Sequence, residues 1–194
     1  MNKRIKKWIK GFTLVELMVS LGVAAIIITL GVQSFREFKA SSRLSSRVNN
    51  FVGDLIIARN EAIKRNTNVF ICKRESPNYL PPSCTTAGGW EQGWVIFLDD
   101  DDDKAFDAGE TILRLADEFG DNITLRGNNP VKDRISFEGT GIATNGSLIF
   151  CDTRIETFED DKAKARVVII SKSGRIRTVK GNDSSSSLSS CTPS

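Results

Sequence analysis

Histidine is missing from all 194 residues. Its absence excludes Ser-His-Asp and Cys-His nucleophile chemistry and any imidazole-bound metal. Cysteine is sparse: Cys72, Cys84, Cys151 and Cys191 never fall into a paired CxxC spacing, so they do not read as a zinc site. No organised carboxylate pair stands in for these groups. The chain is therefore expected to be neither an enzyme nor a cofactor carrier. Acids are missing from the first eleven residues, which carry Lys3, Arg4, Lys6, Lys7 and Lys10. Charge is almost missing from the next 21, Phe12 to Val32, where Glu16 is the one ionisable side chain.

That apolar run spans about 31 Å as a helix, the thickness of a bilayer core. A basic leader stays cytoplasmic, so the rest of the chain should cross outward. A secretory signal places its small-residue cleavage site after the apolar segment. Here the small residue, Gly11, precedes it, and cutting there leaves the hydrophobic helix attached as an anchor. A carboxylate inside lipid costs at least about 2.5–3.5 kcal/mol, which makes Glu16 functional by default. The formal charge of +3 also misleads. Loss of the leader removes five of the 27 bases and none of the 24 acids, leaving 22 against 24, or −2. Any anion-binding site must then be a local patch.

Beyond Val32 the sequence turns polar but keeps a helical period through Phe35, Phe38, Leu44, Val48, Phe51, Val52, Leu55, Ile56 and Ile63. One helix from about Thr13 to about Lys64 is expected, its second half laying an apolar stripe on a sheet. Short β-branched or aromatic runs follow at Val69–Lys73, Trp94–Leu98, Ile112–Ala116, Ile123–Arg126, Arg134–Glu138, Ser147–Cys151, Arg166–Ser171 and Arg175–Val179, separated by Gly, Asn and Pro. The fold class is α+β: a long helix carrying a mostly antiparallel sheet or two small packed sheets. The expected divisions are a leader at 1–11, a transmembrane helix at 12–32, its soluble continuation at 33–65, a β-rich head at 66–180 and a Ser-rich tail at 181–194. In an exported head four cysteines allow three disulfide connectivities. Cys72–Cys84 closes a local loop, and Cys151–Cys191 ties down the tail, worth roughly 4 kcal/mol on the chain-entropy model.

Gly11-Phe12-Thr13-Leu14-Val15-Glu16-Leu17 after a basic leader closely resembles the type IV pilin signature. That resemblance implies a prepilin peptidase cutting after Gly11, an N-methylated Phe12, and Glu16 meeting the amino terminus of a neighbouring pilin. Gly93-Trp94-Val95-Ile96-Phe97, an acidic loop, and Gly109-Glu110-Thr111-Ile112-Leu113-Arg114 are similar to the middle of minor pilins and pseudopilins of the GspH and FimT/FimU type. The resemblance implies the pilin fold, an inner-membrane location before assembly, and a periplasmic or cell-surface filament of a Gram-negative bacterium afterwards.

Two charged segments remain. Lys162 to Lys180 holds seven bases and no acid. Arg166–Ser171 and Arg175–Val179 read as a hairpin turning at Ser173-Gly174. Arg175 and Arg177 then project from one face about 7 Å apart, with Lys172 across the turn and Lys180 beyond, a spacing that suits successive phosphates. No aromatic follows Val167, so base stacking is not expected and binding should ignore sequence. Gly174-Arg175-Ile176-Arg177 also resembles the Gly-Arg-x-Arg motif of FimT-type minor pilins, which implies binding of extracellular DNA during natural transformation. The rival reading is a solvated edge whose charges block strand pairing. It leaves a structural subunit that primes or caps a pilus or a type II secretion pseudopilus.

The other segment places Asp99, Asp101, Asp103, Asp107 and Glu110 at positions 1, 3, 5, 9 and 12 of a calcium loop. Lys104 replaces the turn glycine, and no helix precedes the loop. It is therefore read as a solvated acidic loop, with no metal expected. Trp90 and Trp94 are read as core.

Overall fold

The computed structural model describes residues 11–76, 78, 81–107, 109–120, 122–152, 162–183 and 191. Among them one long helix, α1 (Leu14–Arg65), precedes eight strands: β1 (Asn68–Lys73), β2 (Trp94–Asp99), β3 (Ile112–Ala116), β4 (Ile123–Gly127), β5 (Arg134–Phe137), β6 (Gly146–Asp152), β7 (Arg166–Ile170) and β8 (Ile176–Lys180). The chain divides into two compact units, Met1–Ala40 and Ser41–Ser194, and α1 contributes to both.

In the first unit α1 starts at a cap that its own sequence supplies. The Glu16 N–H donates to Thr13 Oγ1 at 3.2 Å, half of a Thr-x-x-Glu capping box, and the Glu16 carboxylate lies in the first turn where the helix dipole favours it. The apolar side chains that follow, among them Leu14, Val15, Met18, Leu21, Ile26 and Ile27, are more than half exposed. Among the described residues no helix is long and apolar enough to cross a membrane. The run expected to do so, 12–32, includes side chains at 29–32 that lie outside the described residues.

The second unit is built around the rest of α1. Leu44, Val48, Phe51, Leu55, Ala58 and Ala62 recur at alternating steps of four and three, and each is at most 2% exposed. This stripe differs from the one expected. Phe35 and Phe38 fall in the first unit and are exposed, and Ile56 and Ile63 lie one position past the seam, also exposed. Ala58 and Ala62, both fully buried, occupy the seam in their place.

Two antiparallel sheets pack on that stripe, ordered β3-β2-β1-β5 and β4-β6-β7-β8. Strand alternation divides each sheet. Val69, Ile71, Ile96, Ile135, Leu125, Leu148, Phe150 and Val168 face one shared core. The outer faces carry smaller clusters, each with a disulfide in it. Phe70, Cys72, Val95 and Phe97 lie against Cys84, and Ile149, Cys151, Val167 and Ile169 lie against Cys191. The disulfides join Cys72 to Cys84 and Cys151 to Cys191. Each one staples a covering segment over apolar surface that the sheets leave outside.

Trp90 and Trp94 are core. Trp90 Nε1 donates to the carbonyls of Val131 and Lys132, and Trp94 Nε1 donates to Asp54 Oδ2 at 2.9 Å. Asp54, 3% exposed on α1, also pairs with Arg114 Nε at 2.6 Å. Burial raises the Asp54 carboxyl above its ordinary 3.8, and the Trp94 bond and Arg114 only partly counter it. Folding therefore favours the protonated form. The stability from this group is complete below the unfolded pKa and is lost as pH rises through the raised folded value. Asp54→Asn keeps an acceptor for Trp94 but cannot ionise. Urea midpoints measured between about pH 4 and 7 should fall less with pH in this variant than in the wild type. Equally steep profiles would assign the titration to another group.

Candidate nucleic-acid interface

The basic hairpin forms as its sequence requires. β7 lies between β6 and β8, and β8 is the edge of its sheet. Ser171 N–H donates to Arg175 O at 2.9 Å, and Gly174 N–H donates to Ser171 O at 2.8 Å. Gly174 is buried at φ +73°. A Cβ there would lie 2.2 Å from Gly141 O and 2.6 Å from Arg59 Nε, so glycine is needed for both conformation and space. The turn is pinned from two directions. Arg59 Nη2 on α1 donates to Ser173 O at 3.2 Å, and Ala143 N–H donates to Lys172 O at 3.0 Å. Arg59 gave no sign of this role in the sequence, because it lies 114 residues from its acceptor.

Register sets which charges share a surface. Ile169 faces Arg177 and Val167 faces Val179 across the β7–β8 ladder, so Arg177 and Val179 stand on the outer face with the Cys151–Cys191 cluster. Arg175 lies one residue before β8, where its carbonyl accepts the Ser171 N–H, and by the same alternation it falls on the side of Arg177. Ile176 points to the shared core instead. Lys180 alternates with Ile176 and Thr178 and pairs with Arg166. It therefore stands on the opposite face from the two arginines, which corrects the expectation of a single four-residue cluster. Arg166 is occupied as well, donating to the carbonyls of Ala163, Lys164 and Ala165. The outward group is Lys172, Arg175 and Arg177, all exposed. Among the described residues no hydrogen bond or ion pair engages these three side chains. Beside Lys172 opens a polar hollow of about 360 Å³ lined by Asn128, Asn145, Ser147 and Ser171, which the sequence did not reveal.

At the other end of the chain Gly11 and Phe12 are exposed. A Cβ on Gly11 would meet nothing within 4 Å, so the fold itself gives no reason for glycine there. The Glu16 carboxylate is exposed on the first turn of α1.

A family model described as the type II transport protein GspH matches residues 47–174. The chain belongs to the GspH family. It is a minor pilin or pseudopilin of a type IV pilus or type II secretion system. The prokaryotic N-terminal methylation motif matches residues 9–32. Among solved structures, the chain is similar to the type IV minor pilin FimU of Pseudomonas aeruginosa at 19% identity and a TM-score of 0.46, covering 81% of this chain and 95% of that one. The minor pseudopilin EpsH from the Type 2 Secretion System of Vibrio cholerae matches with a TM-score of 0.50 at 11% identity, over 73% of this chain and 99% of that one. The latter likeness is one of fold, a helix with two antiparallel sheets. No curated protein sequence matches. The GspH match ends at Gly174, so it includes the glycine of the turn and stops one residue short of Arg175. The GspH match therefore covers β7 and the turn glycine but neither β8 nor the two arginines.

Proposed function

We propose that this protein is a non-catalytic minor type IV pilin that holds extracellular DNA by its phosphates and promotes uptake in natural transformation. The observation that carries this reading is the pair Arg175 and Arg177 on one exposed face, joined by Lys172 and free of carboxylate partners among the described residues. Each guanidinium offers a planar fork of donors to a phosphate, and contacts of this kind do not read sequence. Processing follows the methylation motif. A prepilin peptidase removes residues 1–11, Phe12 becomes the methylated terminus, and 12–32 cross the inner membrane once before assembly. In the filament Glu16 meets the amino terminus of a neighbouring pilin. The lack of any steric need for glycine at 11 supports a processing role for it.

Three phosphate contacts predict a log K against log salt slope of about −3 on duplex DNA, with affinity near 10⁻⁴ to 10⁻⁶ M. Fluorescence anisotropy on the full processed chain in detergent tests this. Arg175→Gln with Arg177→Gln should abolish most binding, and the slope of what remains should fall to about −1. Unchanged affinity in the double variant would move the site elsewhere. A wild-type chain that binds no DNA at low salt would leave the second reading, a structural subunit that primes or caps a pilus or pseudopilus. The edge position of β8 favours that alternative, because exposed charge on an edge strand blocks sheet-to-sheet pairing.

A further inference from the structure

The loop from β2 to β3 opens with five consecutive aspartates, Asp99–Asp103. The sequence argued against a cation there because Lys104 stands at the turn position and no helix precedes the loop. The fold answers the lysine, while the element before the loop is a strand, β2. Lys104 adopts φ +70° and Asp102 φ +62°, so the chain makes the tight turn without glycine. The Lys104 side chain is exposed, and among the described residues it pairs with no carboxylate.

Asp99, Asp101 and Asp103 each bring one carboxylate oxygen within 4.8 Å of the others. Ligands at 2.3–2.6 Å from one calcium ion lie at most about 5 Å apart, so the three fit a single sphere. Asp99 is the telling member. It is 3% exposed, its Oδ2 accepts the Lys104 N–H at 3.3 Å, and its Oδ1 is buried with no hydrogen-bond partner. A bare carboxylate oxygen out of water is costly unless something positive meets it. The loop is also held in place. Asp101 Oδ1 accepts Asp103 N–H, and Asp103 Oδ1 accepts Ala105 N–H. The two Glu110 oxygens accept Asp100 and Asp107 N–H. Asn68 fastens Asp102, and Arg134 fastens the Lys104 carbonyl.

We propose that Asp99, Asp101 and Asp103 bind a calcium ion, with backbone carbonyls and water completing its oxygen shell. Several carboxylates on an irregular loop suit the six to eight ligands of calcium better than the strict octahedron of magnesium. The affinity belongs in the range of extracellular modules, about 10⁻⁴–10⁻³ M.

Calorimetry with calcium chloride on the full processed chain in detergent should give a one-site isotherm, and added calcium should raise the melting midpoint. Asp101→Asn with Asp103→Asn alters exposed side chains and keeps their carbonyl acceptors. The double variant should bind at least about tenfold more weakly, with an unchanged far-UV spectrum. No heat and no midpoint shift up to about 10 mM calcium would overturn the proposal, as would wild-type affinity in the double variant. Equal affinity for magnesium would overturn the choice of ion.

Discussion

Asp133→Ala should cost about 3–5 kcal/mol of unfolding free energy, because it strands a buried ammonium. Lys73 on β1 is 1% exposed, and its Nζ lies 2.7 Å from Asp133 Oδ1. The same Nζ donates to Thr86 O at 3.2 Å and Gly88 O at 3.0 Å. It thus holds the chain between β1 and β2, the stretch containing Cys84, against the sheet. The two carbonyls cannot neutralise the charge once the carboxylate is gone. Because the Asp133 side chain is 28% exposed, water relieves part of the penalty, which places the loss nearer the lower figure. Replacing both partners at once, Lys73→Met with Asp133→Leu, removes the charge along with its partner and should restore most of the stability. Urea unfolding of the three proteins measures this. A loss under about 1 kcal/mol in Asp133→Ala would mean that Lys73 reaches water and behaves as a surface pair.

Phe51→Ala should be comparably severe, about 3–5 kcal/mol, for a different reason. Phe51 is fully buried on α1 where the two sheets converge. Its ring meets Trp94 of the first sheet at 4.9 Å, Phe150 of the second at 5.7 Å and Trp90 at 5.9 Å, all edge-on. Truncation leaves a cavity bounded by three large rings, two of which are held by hydrogen bonds. Trp90 and Trp94 are tied by their indole N–H groups to Val131, Lys132 and Asp54, so they cannot collapse inward. Phe51→Leu keeps most of the volume and should lose far less. Thermal or urea midpoints check the ranking, and equal losses for Ala and Leu would show that ring geometry rather than volume holds the site.

The candidate site was legible to the depth that local spacing reaches. Arg175 and Arg177 are two residues apart on a strand, so one face follows from the pleat alone. Ser173-Gly174 marked the turn, because a positive φ with no Cβ is a local requirement. Lys180 was misjudged although the same pleat places it, three residues from Arg177, on the opposite face. The support from Arg59 was invisible because its acceptor is 114 residues away. The Asp99 loop was visible as a spacing. That one of its oxygens is buried and bare is a property of the surrounding sheet.

Sequence alone determined the class of the molecule: a long helix from its apolar period, strands from alternation, the basic hairpin from its turn residues, and the N-terminal motif from one glycine, one phenylalanine and one glutamate. Each of these depends on neighbours within a few residues, where backbone sterics and side-chain periodicity act. Tertiary structure decided how the strands divide into two sheets, with β5 pairing β1 and β4 pairing β6. It also selected Ala58 and Ala62 over Ile56 and Ile63 for the seam, and gave Asp54 and Lys73 buried partners. Those choices rest on contacts between distant segments, whose energies arise only once water has been excluded from between them.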